Sequence, residues 1–238
     1  MPEVVKGYSI SLTHSDAMIY AQKIDCNEQG IRAEIVTPWG QGVLSSPMLG
    51  AFNGFNLLVT LTVLNILEMP FAESLSLINQ VTGAPGRMQV IRKVDQPTVV
   101  IDFAHTPDAL QQVLSTLKQQ SFQRVWCVFG CGGDRDPGKR APMGSIAEQF
   151  ADEVVLTSDN PRSEAPQAIM QDILQGVKNS TVITVIEARA DAINYALTQA
   201  TARDVILIAG KGHETYQEIQ GQRYSFSDTE VVEAQFGS

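Results

Sequence analysis

The rhythm of hydrophobic and polar positions changes once along this chain, close to residue 83. Before that point, short runs rich in β-branched and aromatic residues at 7–12, 19–24, 31–37 and 42–46 are separated by turn residues, among them Pro38-Trp39-Gly40. These runs predict strands. An apolar stretch at 49–67 then predicts a long helix, and 71–81 predicts a second. Gly83-Ala84-Pro85-Gly86 breaks that second helix and is the candidate boundary between a first region, 1–84, and a second, 85–238.

In the second region strand and helix patterns alternate. Apolar strand runs lie at 98–101, 124–129, 153–156, 182–186 and 204–209. Helical stripes lie between them. One opens at Thr106-Pro107-Asp108, with a Thr cap, Pro at the first helical position and an acid in the first turn, and carries Leu110, Val113, Leu114 and Leu117. Others are read at 143–150, at 166–178 through Ile169, Met170, Ile173, Leu174 and Val177, and at 190–200. Such alternation predicts an α/β fold, a Rossmann-like doubly wound and mostly parallel sheet. Two short runs at 216–219 and 223–226 flank Gln220-Gly221-Gln222 as a terminal hairpin, and Ser227-Asp228-Thr229-Glu230 is a capping box opening a last helix. The first region reads as a smaller β-rich and helical piece.

Charge and composition narrow the partners. The 238 residues include 17 basic and 26 acidic ones, for a formal net charge of -9. That argues against nucleic acid or an anionic membrane as a general partner, while a small anionic ligand needs only a local basic site. Nothing resembles a signal peptide, and no apolar run is long enough to span a bilayer. The three cysteines, Cys26, Cys127 and Cys131, are too few for a disulfide framework, and Cys127 and Cys131 lack zinc-ligand companions. Reduced thiols in a cytoplasmic protein are the expectation.

Parallel strands place their carboxyl ends on one edge, so the loops there converge and bind ligands. Those loops are Asp102-Phe103-Ala104-His105, Gly130-Cys131-Gly132-Gly133-Asp134-Arg135-Asp136, Ser158-Asp159-Asn160-Pro161-Arg162 and Gly210-Lys211-Gly212-His213-Glu214. Arg162 offers a planar fork for a carboxylate, Asn160 both donates and accepts, and Glu214 offers a carboxylate for an ammonium. Together they suit a zwitterionic amino acid. A plain Asn-Pro turn with a solvated Arg is an equal alternative on local grounds. The glycine loop's N–H groups could approach an anion, yet neither G-x-x-x-x-G-K-[ST] nor G-x-G-x-x-G occurs, which weighs against a nucleotide-dependent oxidoreductase. Gly86-Arg87-Met88 puts an Arg at the boundary, and Asn53 and Asn56, three apart on the first helix, either satisfy a buried helix end or hold a ligand.

Taken in order, Gly50-Ala51-Phe52-Asn53-x-x-Asn56, Gly86-Arg87-Met88, Asp102-Phe103-Ala104-His105-Thr106-Pro107, Gly132-Gly133-Asp134-Arg135-Asp136, Asp159-Asn160-Pro161-Arg162 and Gly210-Lys211-Gly212-His213-Glu214 resemble the Mur ligase family over nearly the whole chain. The resemblance is closest to members that add meso-2,6-diaminopimelate to UDP-N-acetylmuramoyl-L-alanyl-D-glutamate. It implies an ATP-dependent amide-bond ligase of peptidoglycan synthesis, in which ATP with Mg2+ converts a carboxylate to an acyl phosphate that the incoming amine attacks. It implies that Arg135, Asp159, Asn160, Arg162, Gly210 and Glu214 bind meso-diaminopimelate, and that Asn53, Asn56, Arg87, Asp102 and His105 lie on the ATP side.

By the same resemblance, residues 1–84 match the later part of the family's central ATPase domain and 85–238 its C-terminal amino-acid-binding domain. The family's phosphate loop, its carbamylated lysine and its UDP-binding domain have no counterpart in these residues, so Met1 is expected to be a truncated or artificial start. No catalytic residue and no metal ligand is expected here, and the chain by itself is expected to be inactive. Phe103 stands where Tyr is commoner and Pro137 where Lys is commoner. The alternative is a stand-alone amino-acid or nucleotide-binding module without catalysis.

Overall fold

The computed structural model describes residues 7–237, which divide at Thr82 and Gly83 into two compact units. The first holds β1 (Ile10–Ser11), β2 (Ile19–Asn27), β3 (Gly30–Thr37) and β4 (Gly40–Ser46), in that order across one sheet. β2, β3 and β4 run antiparallel and β1 pairs parallel with β2. Period-two alternation sorts β3: Ile31, Ala33 and Ile35 are each 2 % exposed, while Arg32 and Glu34 between them face solvent. Helices α1 (Ala51–Ile66) and α2 (Phe71–Ile78) supply Leu57, Leu58, Leu61 and Ile78 to the same core. α2 ends short of the expected residue 81, because the Asn79 amide turns to Val43 O and Ser45 N on β4.

The second unit is built on a six-stranded sheet of order β5-β6-β10-β7-β8-β9. Its strands are β5 (Gln89–Ile91), β6 (Thr98–Asp102), β7 (Val125–Phe129), β8 (Glu153–Leu156), β9 (Ile183–Val185) and β10 (Val205–Ala209). All pair parallel except β5, which adds an antiparallel edge to β6. β5 is too short to show a pattern, and the sequence did not announce it. Every residue of β7 and β10 is buried, as strands covered on both faces require. Helices α6 (Arg189–Gln199) and α7 (Asp228–Gly237) cover one face through Ala192, Ile193, Ala196, Val232 and Phe236 against Ile206 and Ile208. α3 (Pro107–Lys118), α4 (Arg140–Phe150) and α5 (Pro166–Leu174) pack side by side, α3 and α4 against β7, β8 and β10.

Thr106 Oγ1 caps α3 as expected, accepting from Ala109 N. α5 stops at Leu174 rather than running to 178. Gly176 lies so close to Ala141 O that a Cβ there would be 1.8 Å away, and Lys178 N donates to the Glu148 carboxylate instead of continuing the ladder. A hairpin of β11 (Tyr216–Ile219) and β12 (Gln222–Ser225) follows β10. Among the described residues no helix is long and apolar enough to cross a membrane.

Candidate active site

β6, β7, β8 and β10 run parallel, so the loops that follow them meet at one edge. Glycines let them touch. A Cβ on Gly130 would lie 2.1 Å from Thr157 O, and one on Gly133 would lie 2.0 Å from Pro161 O. Two backbone amides of this loop bond to its neighbours: Gly133 N donates to Asn160 O at 2.9 Å and Asp134 N to the Glu164 carboxylate at 2.6 Å. The glycine run therefore closes one loop onto the next. The Asp134 carboxylate accepts from both Ser163 N and Ser163 Oγ, and these bonds hold it below the ordinary aspartate range. Arg140, buried, clamps Glu164 and Asp172 from beneath; its bonds to Glu164 push the guanidinium further toward the charged state and pull Glu164 down.

Between the loops lies a cleft of about 440 Å³. Arg135, Lys139 and Arg162 bring positive charge to it, and Asp136, Asp159 and Glu214 bring negative charge. Phe103 and His105 form another wall, with their rings 4.6 Å apart edge to face. Asp136 caps the short turn Pro137–Lys139 through Gly138 N, so the proline at 137 is accommodated at a helical first position. Lys139 Nζ then ties this loop to His105 O at 2.8 Å. Cys131 also borders the cleft, but burial pushes its thiol up to about 12, out of reach of a nucleophile's role near neutral pH.

Arg162 is a non-glycine residue in the left-handed region, at φ 51°, a conformation that persists only where the surroundings over-determine it. They do. Its N–H donates to Glu218 O and its C=O accepts from Gln220 N, so the hairpin holds it from both sides. Its Nη1 donates to Gly133 O at 2.6 Å and its Nε lies 3.7 Å from Glu218 Oε2. The rest of the guanidinium faces the cleft with 20 % of the side chain exposed.

Asn160, 3 % exposed, is a junction rather than a free donor. Its Oδ1 accepts from Lys211 Nζ at 3.1 Å and Glu218 N at 2.9 Å, and its Nδ2 donates to Glu214 Oε2 at 2.8 Å. Beneath this layer, Arg189 and Asp228 form a fully buried pair with contacts of 2.7 and 2.9 Å, and Arg189 Nη2 also donates to Ala209 O.

The structure thus gathers Arg135, Asp159, Asn160, Arg162, Gly210 and Glu214 around one cleft. His105, expected on a separate nucleotide side, borders this same cleft. Asp102 does not. It is 7 % exposed, burial raises its pKa, and its Oδ2 accepts from Met88 N at 2.8 Å. Arg87 lies on the Phe103 ring, 4.7 Å from its centroid. In the first unit, Asn53 is turned inward, with its amide on Leu49 O, while Asn56 is exposed, so the pair does not share one environment.

Sequence reading passed over Lys211, Arg189 and Asp228 as members of the site's support. Lys211 had one usable signal, a lone cation between two glycines directly after an apolar strand. Arg189 had none, since a basic residue at a helix start reads as solvated.

A parallel sheet whose carboxyl-end loops assemble a cleft of both charges is an α/β unit with a candidate ligand site at its strand ends. Residues 86–212 match the family model "Mur ligase, glutamate ligase domain"; the chain belongs to the Mur ligase family. It is 47 % identical over 226 residues to the UDP-N-acetylmuramoyl-L-alanyl-D-glutamate--2,6-diaminopimelate ligase of Coxiella burnetii, covering 94 % of this chain and 46 % of that protein. It is 48 % identical over 223 residues to the ligase of the same name from Pseudomonas aeruginosa, with the same coverage. A solved structure of such a ligase superposes with a TM-score of 0.77 at 43 % identity, over 97 % of this chain and 47 % of that one. The chain therefore spans about half the length of the curated relatives it matches.

Proposed function

We propose that these residues form the amino-acid-binding half of an ATP-dependent ligase that adds meso-2,6-diaminopimelate to UDP-N-acetylmuramoyl-L-alanyl-D-glutamate through an acyl phosphate. One observation carries this reading: a single cleft offers the Arg162 and Arg135 guanidinium groups together with the Asp159 and Glu214 carboxylates. Diaminopimelate carries an ammonium and a carboxylate at each end, and those groups answer that arrangement. The names of the relatives that align across 94 % of the chain agree with it.

In this reading Arg162, seconded by Arg135, takes the far carboxylate. Glu214 and Asp159 take an ammonium. Asn160 acts by holding Glu214, and Gly210, at φ 114°, leaves room for Asp159, whose Oδ2 would lie 2.5 Å from a Cβ there. Within the second unit Arg87, Asp102 and His105 are assigned to the ATP side; within the first, the exposed Asn56 is kept in that assignment and the buried Asn53, whose amide is on Leu49 O, is not. When bound, ATP with magnesium activates the acceptor carboxylate. Among the described residues no group of three or more His, Cys, Asp or Glu is placed to hold a metal ion. These residues' part in the reaction is to bind the incoming amino acid and fix its direction.

The test is a calorimetric titration of the 238-residue protein with meso-diaminopimelate and with L-lysine, which lacks the far carboxylate. Preference for meso-diaminopimelate that disappears in Arg162→Ala supports the assignment. Equal affinity for both amino acids in the wild type overturns it.

A further inference from the structure

We infer that Lys211 is the positioning residue of the cleft's ammonium-binding pole: its buried side chain pins one oxygen of Glu214 and orients Asn160, so that the other Glu214 oxygen is presented to the ligand. The inference rests on the amino-acid-binding reading of the cleft and names a residue which that reading leaves out.

Lys211 is 0 % exposed and does not line the cleft. Its neighbours Gly210 and Gly212 have φ of 114° and 55°, a pair of backbone conformations open mainly to glycine, and they bring the loop down so that the lysine points inward. A buried ammonium must be matched by acceptors. Here they are Glu214 Oε2 and Asn160 Oδ1, both at 3.1 Å, with the Tyr216 ring centroid 5.5 Å away. The consequences for the two partners differ.

For Asn160, Lys211 Nζ and Glu218 N both require an acceptor, so the amide oxygen must face them and Nδ2 must face Glu214. For Glu214, both bonds fall on Oε2, from Lys211 Nζ and Asn160 Nδ2, while Oε1 makes no hydrogen bond among the described residues. The Glu214 side chain is 22 % exposed and borders the cleft. A carboxylate held at one oxygen by two buried donors has lost its rotational freedom and offers one directed acceptor. That is the preorganisation a charge-assisted hydrogen bond to an ammonium needs.

A lysine that only staples two loops would, when lost, weaken all ligands alike. One that aims Glu214 would weaken only ligands whose ammonium meets that oxygen. The 238-residue protein is therefore titrated with meso-diaminopimelate and with 2-aminopimelate, which keeps both carboxylates and lacks one amino group. Lys211→Met replaces the side chain with an apolar one of similar length; because removing one member of a buried pair is destabilising, the titration is run well below the variant's unfolding temperature, found from its thermal melt. It should weaken meso-diaminopimelate about 10-fold or more and 2-aminopimelate by less than about 3-fold, so the ratio of the two collapses. Glu214→Gln should collapse the ratio similarly, and the double variant should go no further. The ratio is unaffected by any inactive share of the sample. If Lys211→Met weakens both ligands equally, or keeps the wild-type ratio, Lys211 is a staple and the inference is overturned. If the wild type does not distinguish the two ligands at all, the ammonium assignment of the cleft falls, and this inference with it.

Discussion

Both units bury asparagine, yet the two residues are used in opposite ways. In the first unit Asn53, Thr62 and Asn65 are each about 5 % exposed, and each donates to a carbonyl four residues back, at Leu49, Leu58 and Leu61. Each amide or hydroxyl donor is met within one turn of the chain, although Asn65 Oδ1 stays buried without a partner among the described residues. In the second unit the buried polar groups reach across the sequence: Asn160 to Glu214, Lys211 to Asn160, Arg189 to Asp228. Local satisfaction leaves a polar residue as part of the scaffold. Long-range satisfaction joins segments that only the folded chain brings together, and at the cleft it links Asn160 to Lys211 and Glu214. Neither polar burial nor sequence distance points to function alone: buried Asp204 pairs with Arg124 80 residues away without bordering the cleft, and in the first unit buried Ser46 reaches Val81 O.

The sharpest break of this comparison is at the base of the second unit. Asp228→Ala leaves Arg189 charged, fully buried and without its bidentate partner. Breaking such a pair costs about 3–5 kcal/mol, so a large drop in the denaturant midpoint is expected. A change below about 1 kcal/mol, the range of an exposed pair, would show that Arg189 reaches solvent without Asp228.

Next in size is Arg162. Removing one member of a hydrogen-bonded charge pair costs about 2–5 kcal/mol, or roughly tens-fold to thousands-fold in affinity. In a full-length ligase, Arg162→Ala and Arg162→Lys should both depress kcat/KM for meso-diaminopimelate and narrow the gap to L-lysine, since an ammonium cannot reproduce the planar fork. Parental kcat/KM and parental discrimination in both variants would make Arg162 a wall residue of the hairpin only.

Asn53→Ala sharpens the contrast from the other side. It removes one local hydrogen bond, from the first turn of α1 back to Leu49 O, so unfolding of the protein should become easier by about 0.5–1.5 kcal/mol, with the affinity for meso-diaminopimelate unchanged. A loss of that affinity comparable to the loss in Arg162→Ala would contradict the division between scaffold and site.

The smallest effect is one of pH. Burial alone would raise the pKa of Asp204, but Thr201 N and Arg124 Nη2 bond to its carboxylate and the net shift is downward. A folded-state value below the unfolded one contributes stability that is present above the ordinary aspartate range and lost as pH falls through the folded value. Asp204→Asn should therefore lower stability at neutral pH and flatten the acid limb of the stability curve. Parallel curves for the two proteins would rule out this linkage.

Much of this architecture was legible in the residues themselves. Period-two and helical stripes, the Thr106-Pro107 start and the Gly83–Gly86 break depend on neighbours a few positions apart, and local sterics and burial act at that range. The alternation of strand and helix then dictates a parallel sheet, and a parallel sheet dictates that the loops at 103–106, 130–136, 157–162 and 210–214 share an edge. Arg162, Asn160 and Glu214 could be picked out on that reasoning, while Arg135 and Asp159 were implied by the family resemblance. Only the tertiary structure decided what each one does there. It made Asn160 a junction, set His105 beside the cleft, bonded Asp102 to Met88 N, and made the glycine run a contact between loops. It also showed Lys211 and Arg189 to be buried supports. The physical reason is common to all of these. A side chain's role follows from which donors and acceptors remain unpaired after the chain has closed on itself, and those partners lie well outside any local window, 14 residues apart for Asp102 and Met88, 29 for Arg162 and Gly133 and 58 for Gln217 and Asp159.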